Sequence, residues 1–222
     1  MRYAIGDIHG GVETFQALLD TLSLRHEDRL FLVGDYVDRG RESKGVLDTI
    51  IGLMESGYDV TPLLGNHEDM MLKAITDPRD KFSRAWFDNW GKSFAINDPS
   101  EVSEKYINFL KALPLIVVEH DYVFVHAGLA FDTPDPIADS QDHHMLWQDS
   151  GTPDRRRLGD RVVVTGHLIK SLKTIRRSLS SDRIYLDNGA FTDGAPEYGN
   201  LVALNLDTRE LIIQPWLDGY FF

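Results

Sequence analysis

Three short runs in the first third of the chain hold residues able to do chemistry together: Gly6-Asp7-Ile8-His9-Gly10, Gly34-Asp35-Tyr36-Val37-Asp38-Arg39-Gly40 and Gly65-Asn66-His67-Glu68. Two later histidines belong with them by context, His126 before Ala127-Gly128 and His167 after Gly166. Carboxylates, imidazoles and an amide form an oxygen and nitrogen donor set that suits hard or borderline divalent cations such as Mn, Fe or Zn. The chain has no Cys, which removes thiolate ligands, a disulfide framework and a cysteine nucleophile. Taken singly, an Asp beside a Gly or an Asn before a helix is ordinary turn and cap chemistry. Five such loops, each directly after an apolar run, ask for more than turns.

Those apolar runs read as strands. Residues 3–5, 30–33, 60–64, 122–125 and 161–165 each end where one of the five loops begins. Between the first three, Val12, Phe15, Leu18, Leu19 and Leu22 recur at helical spacing, as do Val46, Leu47, Ile50, Ile51, Leu53 and Met54. A third helix begins over 70–75. This alternation predicts an N-terminal βαβαβ unit with a parallel sheet, hence an α/β fold. Ligands of such sheets bind beyond the carboxyl ends of the strands, so the five loops can converge. Residues 82–113 read as mostly helical, with an aromatic face of Trp86, Phe87, Trp90 and Phe94 that suits a core. The remainder reads as β-rich, with further strands at 115–118, 174–177, 183–186, 201–206 and 210–213. Residues 132–153, with three Pro and many Asp, predict a long surface loop that carries His143 and His144 as solvated side chains. Trp216, Tyr220, Phe221 and Phe222 are expected to pack a C-terminal segment onto the core.

At 222 residues and 42% hydrophobic the chain can bury a full core, and residues 1–222 read as one domain. A net charge of -12 argues against a bulk nucleic-acid binder, which needs a basic face. The most apolar stretch, 113–131, is broken by Glu119, His120, Asp121 and His126, so no membrane span is indicated. No apolar leader precedes the first motif. The expectation is a cytoplasmic protein with no nucleic-acid and no membrane partner.

The three motifs, in this order, resemble those of the phosphoprotein phosphatase family, the calcineurin-like metallophosphoesterases, and the small size resembles its bacterial and phage lambda branch. His126 and His167 match the family's two later histidines. The resemblance implies a two-sheet sandwich flanked by helices. It also implies two divalent cations, Mn first and Fe or Zn as alternatives. Asp7, His9 and Asp35 would hold one; Asp35, shared, would hold the second with Asn66, His126 and His167. A bridging hydroxide would attack phosphorus directly. His67 would be the general acid, oriented by Asp38, and Arg39 would bind phosphate oxygens. Glu68 reads as structural, and Asp187, in Leu186-Asp187-Asn188-Gly189-Ala190, as a turn residue or a supporting one.

The chain departs from the family pattern at four places. Gln148 and Asp149 follow Trp147 where relatives place an Arg, with Arg155, Arg156 or Arg157 as substitutes to consider. Leu64 precedes the third motif, Leu168 follows His167, and Asn89-Trp90-Gly91 matches a family turn only loosely. These bear on substrate recognition more than on metal binding. The first substrate reading is a phosphoserine or phosphothreonine protein or peptide. The alternatives are a diadenosine tetraphosphate or nucleotide hydrolase, whose family typically lacks the counterparts of Asp38 and Glu68, and a non-catalytic nucleotide- or metal-binding module.

Overall fold

The computed structural model describes residues 1–77, 79–148, 150–192 and 195–219, with the side chains of 88–90 outside that set. Asp149, the Asn89 and Trp90 side chains, and Tyr220, Phe221 and Phe222 therefore lie outside the described residues. The N-terminal unit runs β1 (Arg2–Ile5), α1 (Val12–Leu22), β2 (Arg29–Leu32), α2 (Ser43–Glu55) and β3 (Asp59–Pro62), with β1, β2 and β3 paired in parallel, as the alternation predicts. Then follow α3 (Asn66–Thr76), α4 (Lys81–Trp90), α5 (Glu104–Ala112), β4 (Ile116–Val118), β5 (Tyr122–Val125), α6 (Pro136–Asp139), α7 (Asp142–Trp147) and β6 (Val162–Thr165). The chain closes with α8 (Leu172–Ser178), β7 (Arg183–Tyr185), β8 (Asn200–Asn205) and β9 (Leu211–Pro215).

Two sheets result, ordered β3-β2-β1-β8-β9 and β4-β5-β6-β7. Strand periodicity of two assigns each side chain to a layer. On β2, Leu30 and Leu32 face the helices α1 and α2, while Phe31 and Val33 face the other sheet. On β5, Tyr122 and Phe124 meet that inner layer, where Phe124 stacks on Phe31 at 4.2 Å, and Val123 and Val125 face outward. The central strands are apolar on both faces because each sheet is covered twice. β5, β6 and β7 are parallel to one another, and their carboxyl ends meet those of β1, β2 and β3 at one rim.

Two expectations fail. Residues 174–177 are helical in α8, not a strand. Ser171 caps the helix by accepting from Thr174 N at 3.2 Å, which outweighs the β-branched Thr174 and Ile175. Residues 132–153 are not an open loop. α6 and α7 lie there; Met145 is buried with Leu129 and Phe131 against the outer face of the second sheet, and Leu146 is buried too. His143 and His144 sit in α7 with their rings 3.8 Å apart. No helix among the described residues is long and apolar enough to cross a membrane. Trp216 does pack on the core, against Gly11 at the start of α1.

Candidate metal centre

The loops at the strand ends are bonded to one another through their backbones. Ile8 N and His9 N both donate to Asp35 O, at 3.0 and 2.9 Å, and Gly10 N donates to Tyr36 O at 2.8 Å. Glu68 joins the second loop to the third. Its buried carboxylate accepts from Asp35 N (2.8 Å), Tyr36 N (2.7 Å), Val37 N (3.0 Å) and Gly65 N (3.1 Å). The sequence assigned Glu68 a structural part; the structure makes it the clamp between two of the three motifs. The second sheet is tied in by His126 Nδ1, donating to Val33 O at 2.8 Å, and by His167 N, donating to Asp7 Oδ2 at 2.9 Å. Two approaches are so close that only Gly fits. A Cβ at Gly65 would overlap Asp35 Oδ1, and one at Gly166 would overlap Asp7 Oδ1.

Backbone strain gathers here too. Ten non-Gly residues among those described have positive φ, and His9, Asp35, Asp38, Arg39 and His167 are five of them. Left-handed conformations cost energy and persist where surrounding bonds over-determine them. In these loops they turn side chains toward a common point.

What meets at that point is a surplus of acceptors. His126 Nδ1 faces a carbonyl and must be the N–H; burial disfavours a charge on the ring but Asp35 outweighs it and raises its pKa, so it is loss of the Nε2 proton to a cation that would bare a lone pair there. Asn66 Oδ1 lies 2.8 Å and Asp35 Oδ1 3.3 Å from that nitrogen. His167 Nδ1 stands 3.1 Å from the same Asn66 oxygen. His9 Nδ1 faces Val37 O at 3.1 Å, leaving its Nε2 3.6 Å from Asp35 Oδ2. Imidazoles that ligate a metal commonly donate their other N–H to a carbonyl in this way. Donor atoms of Asp35, His126 and His167 lie within 4.8 Å of one another, as do those of His9, Asp35 and His67. Asp35 belongs to both groups and could bridge two cations, one at each. Asp7 belongs to neither group; its buried Oδ1 has no hydrogen-bond partner. Packed lone pairs and an orphaned buried oxygen are what a pair of divalent cations would satisfy.

Charge follows the same geometry. Burial pushes the Asp7 carboxyl well up, reinforced by the charge of Asp187. Burial also opposes ionisation of Asp35, but His126, His67 and His9 together hold its carboxyl well below the usual range. Burial lowers His9 and His167 to about 4, so both are neutral, ligand-ready imidazoles at neutral pH. His67 differs. Burial disfavours its charge, yet Asp35 and Asp38 outweigh it and raise the imidazole above its ordinary value. His67 Nδ1 donates to Asp38 Oδ2 at 2.9 Å, and both side chains are buried.

These groups line a cavity of about 280 Å³. Its polar floor is His9, Asp35, Asn66, His67, His167 and Asp187, and its wall is Met70, Trp86, Trp147, Ile169 and Phe191. Arg39, exposed, is the one arginine in this lining among the described residues. Its guanidinium lies over Trp86 and Phe191, 5.5 and 5.2 Å from their ring centres. The proposed substitutes for a second arginine lie elsewhere: Arg155 donates to Asp160 O, Arg156 pairs with Asp154, and Arg157 donates to Thr133 O. Trp86 packs against the first core cluster, as expected, and its ring also meets that of His67 edge-to-face with centres 5.5 Å apart. Phe191 and Ile169 carry no motif and were missed. A larger depression of 410 Å³ beside Leu19, Leu53 and Tyr58 lies away from the strand ends and contains none of these donor groups.

A symmetrical bis(5'-nucleosyl)-tetraphosphatase of Nitrosomonas europaea is 38% identical over 128 residues, covering 57% of this chain and 44% of that protein. The match thus spans less than half of that relative's length. Serine/threonine-protein phosphatase 2 of Salmonella typhimurium is 28% identical over 208 residues, covering 86% of this chain and 88% of its own. A crystal structure provisionally described as a diadenosine tetraphosphatase superposes with a TM-score of 0.68 at 23% identity, covering 98% of this chain and 94% of that one, which supports the fold alone. The model of the calcineurin-like phosphoesterase family matches residues 3–195, and the chain belongs to that family of metallophosphoesterase hydrolases.

Proposed function

We propose that the chain is a two-cation phosphohydrolase whose first substrate class is dinucleoside tetraphosphates. The strongest support for that substrate is the 38% identity to a symmetrical tetraphosphatase over 128 residues. The aromatic wall of Trp86, Trp147 and Phe191 supplies flat faces on which a nucleobase can stack.

The residue roles are part of the proposal. Asp35, Asn66, His126 and His167 hold one cation, and His9, Asp35 and Asp7 the other. Cations so placed neutralise phosphate charge and bring the pKa of a bound water toward neutrality. Arg39 grips phosphate oxygens through a fork of donors that stacking keeps planar and oriented. His67, its Nδ1 tied to Asp38, offers the Nε2 proton to the leaving oxygen.

That dyad favours a second reading, phosphomonoesters of serine or threonine. A nucleoside diphosphate leaves as a stable anion and needs no proton, whereas an alkoxide does. The Salmonella phosphatase, matched over most of both chains, points the same way. Rates on diadenosine tetraphosphate, a phosphoserine peptide and p-nitrophenyl phosphate decide between them. The leading reading expects the dinucleotide to have the highest kcat/KM; a phosphopeptide that outruns it replaces that reading with the second.

A further inference from the structure

Asp187 stands just beyond β7, and the mechanism above leaves it without work. It is 2% exposed and lines the same cavity as Asp35 and His67. Its Oδ1 accepts from Gly189 N at 2.7 Å, and its Oδ2 has no hydrogen-bond partner among the described residues. Unlike Asp7 Oδ1, this oxygen is not closed off from the cavity, and a carboxylate that served only its own turn would gain nothing from having most of its side chain taken out of water.

The turn is also held firmly. Lys170 N donates to Asp187 O at 2.9 Å. Asn188 Nδ2 donates to Lys170 O at 2.7 Å and to Glu197 O at 2.8 Å, while its Oδ1 accepts from Asn200 at 2.8 Å. Gly189 takes φ +64, which a side chain would resist. Five hydrogen bonds thus fix where Asp187 points.

We propose that Asp187 is a further catalytic residue: its free Oδ2 accepts a hydrogen bond from the water that attacks phosphorus and aims that water's lone pair at the reacting atom. The inference rests on the phosphohydrolase reading above. It needs only an acceptor at this position; the imidazoles assigned to the cations would have no lone pair left to supply one, and His67 is assigned as a donor.

Asp187→Asn tests it with little change of shape. The amide oxygen still accepts from Gly189, and an NH2 donor replaces the acceptor facing the cavity. The expected result is a fall in kcat of about 10²-fold with KM changed by less than about threefold. Calorimetric titration of the metal-free protein with Mn is expected to give two ions per chain, as for the wild type. Asp187→Ser, whose hydroxyl can still close the turn, is expected to lose turnover likewise while melting cooperatively. Wild-type kcat in either folded variant overturns the inference. So does a rise in KM at constant kcat, which would make Asp187 a substrate contact, or loss of one Mn, which would make it a ligand. A wild-type protein that binds two Mn and hydrolyses ester, beside an equally active Asp187→Asn, fails this inference alone. A wild-type protein without metal-dependent turnover fails both.

Discussion

The two halves of the candidate metal centre share Asp35 but are not built alike. On one side, Asn66 Oδ1 and His126 Nε2 already stand 2.8 Å apart, with His167 Nδ1 3.1 Å from the same amide oxygen. On the other, His9 Nε2 stops 3.6 Å from Asp35 Oδ2, and Asp7 turns its free oxygen toward Gly166 rather than toward His9. The difference has a structural cause. The first half draws on the loops after β2, β5 and β6 and on α3, tied together by Glu68 and by His126 on Val33 O. Asp7 is held from the far side, by His167 N. The half with the closer-set donors would be the tighter cation site, and the other half the weaker one.

The largest expected effect removes the shared residue. Asp35→Asn should lower turnover by more than about 10³-fold, because charge stabilisation at both halves fails together. Initial rates with saturating Mn check this, and activity within tenfold of wild type would break the bridging assignment. Next, His126→Gln should abolish the tighter of two Mn-binding steps, whereas His9→Gln should remove only the weaker one. Calorimetry resolves the two, and equal loss from both variants would erase the asymmetry.

Third, Asp38→Asn should slow phosphomonoester hydrolysis by about 10²-fold while leaving hydrolysis of diadenosine tetraphosphate within a few-fold, since only the ester needs the His67 proton. The same variant has a pH consequence. Asp35 and Asp38 raise the His67 pKa against the effect of burial, so the proton stays on the ring to higher pH. Ester turnover therefore falls as pH rises through that raised value, and removing Asp38 moves this alkaline limb to lower pH. A pH–rate profile unmoved by the substitution would separate His67 from the chemistry. The smallest effect on turnover, but a clear one on stability, belongs to Glu68→Gln. Its amide replaces one acceptor oxygen by a donor, at a cost of about 1–3 kcal/mol for each N–H left unpaired. Denaturant melts measure it, and an unchanged midpoint would deny Glu68 its role as clamp.

The ligand loops were legible in the sequence because their chemistry is local. Gly next to Asp, Asn or His directly after an apolar run marks both the turn and the donor it presents, and βαβ alternation supplies the shared rim. The cavity wall was not legible. Trp86 packs against the core as its periodicity predicts, and nothing in the sequence marks that its ring also meets His67. Phe191 and Ile169 reach the site because the turns after β7 and β6 fold back toward each other, held by Asn188 donating to Lys170 O and Glu197 O, contacts that no local pattern announces. The helix α8 was read as a strand from Thr174 and Ile175, although Ser171 three residues before Thr174 was the available cap signal. Residues 132–153 looked like a loop because Pro and Asp dominate their composition, yet Pro136 begins a helix after the Asp135 cap, where Pro is well tolerated.

Convergent lone pairs around Asp35 are the centre of the account, and counting the ions they hold tests it most directly. Metal-free protein titrated with Mn should take up two ions per chain in two unequal steps, and Asp35→Asn should lose both. Uptake of fewer than two ions by the wild type, or two ions retained by Asp35→Asn, would contradict it.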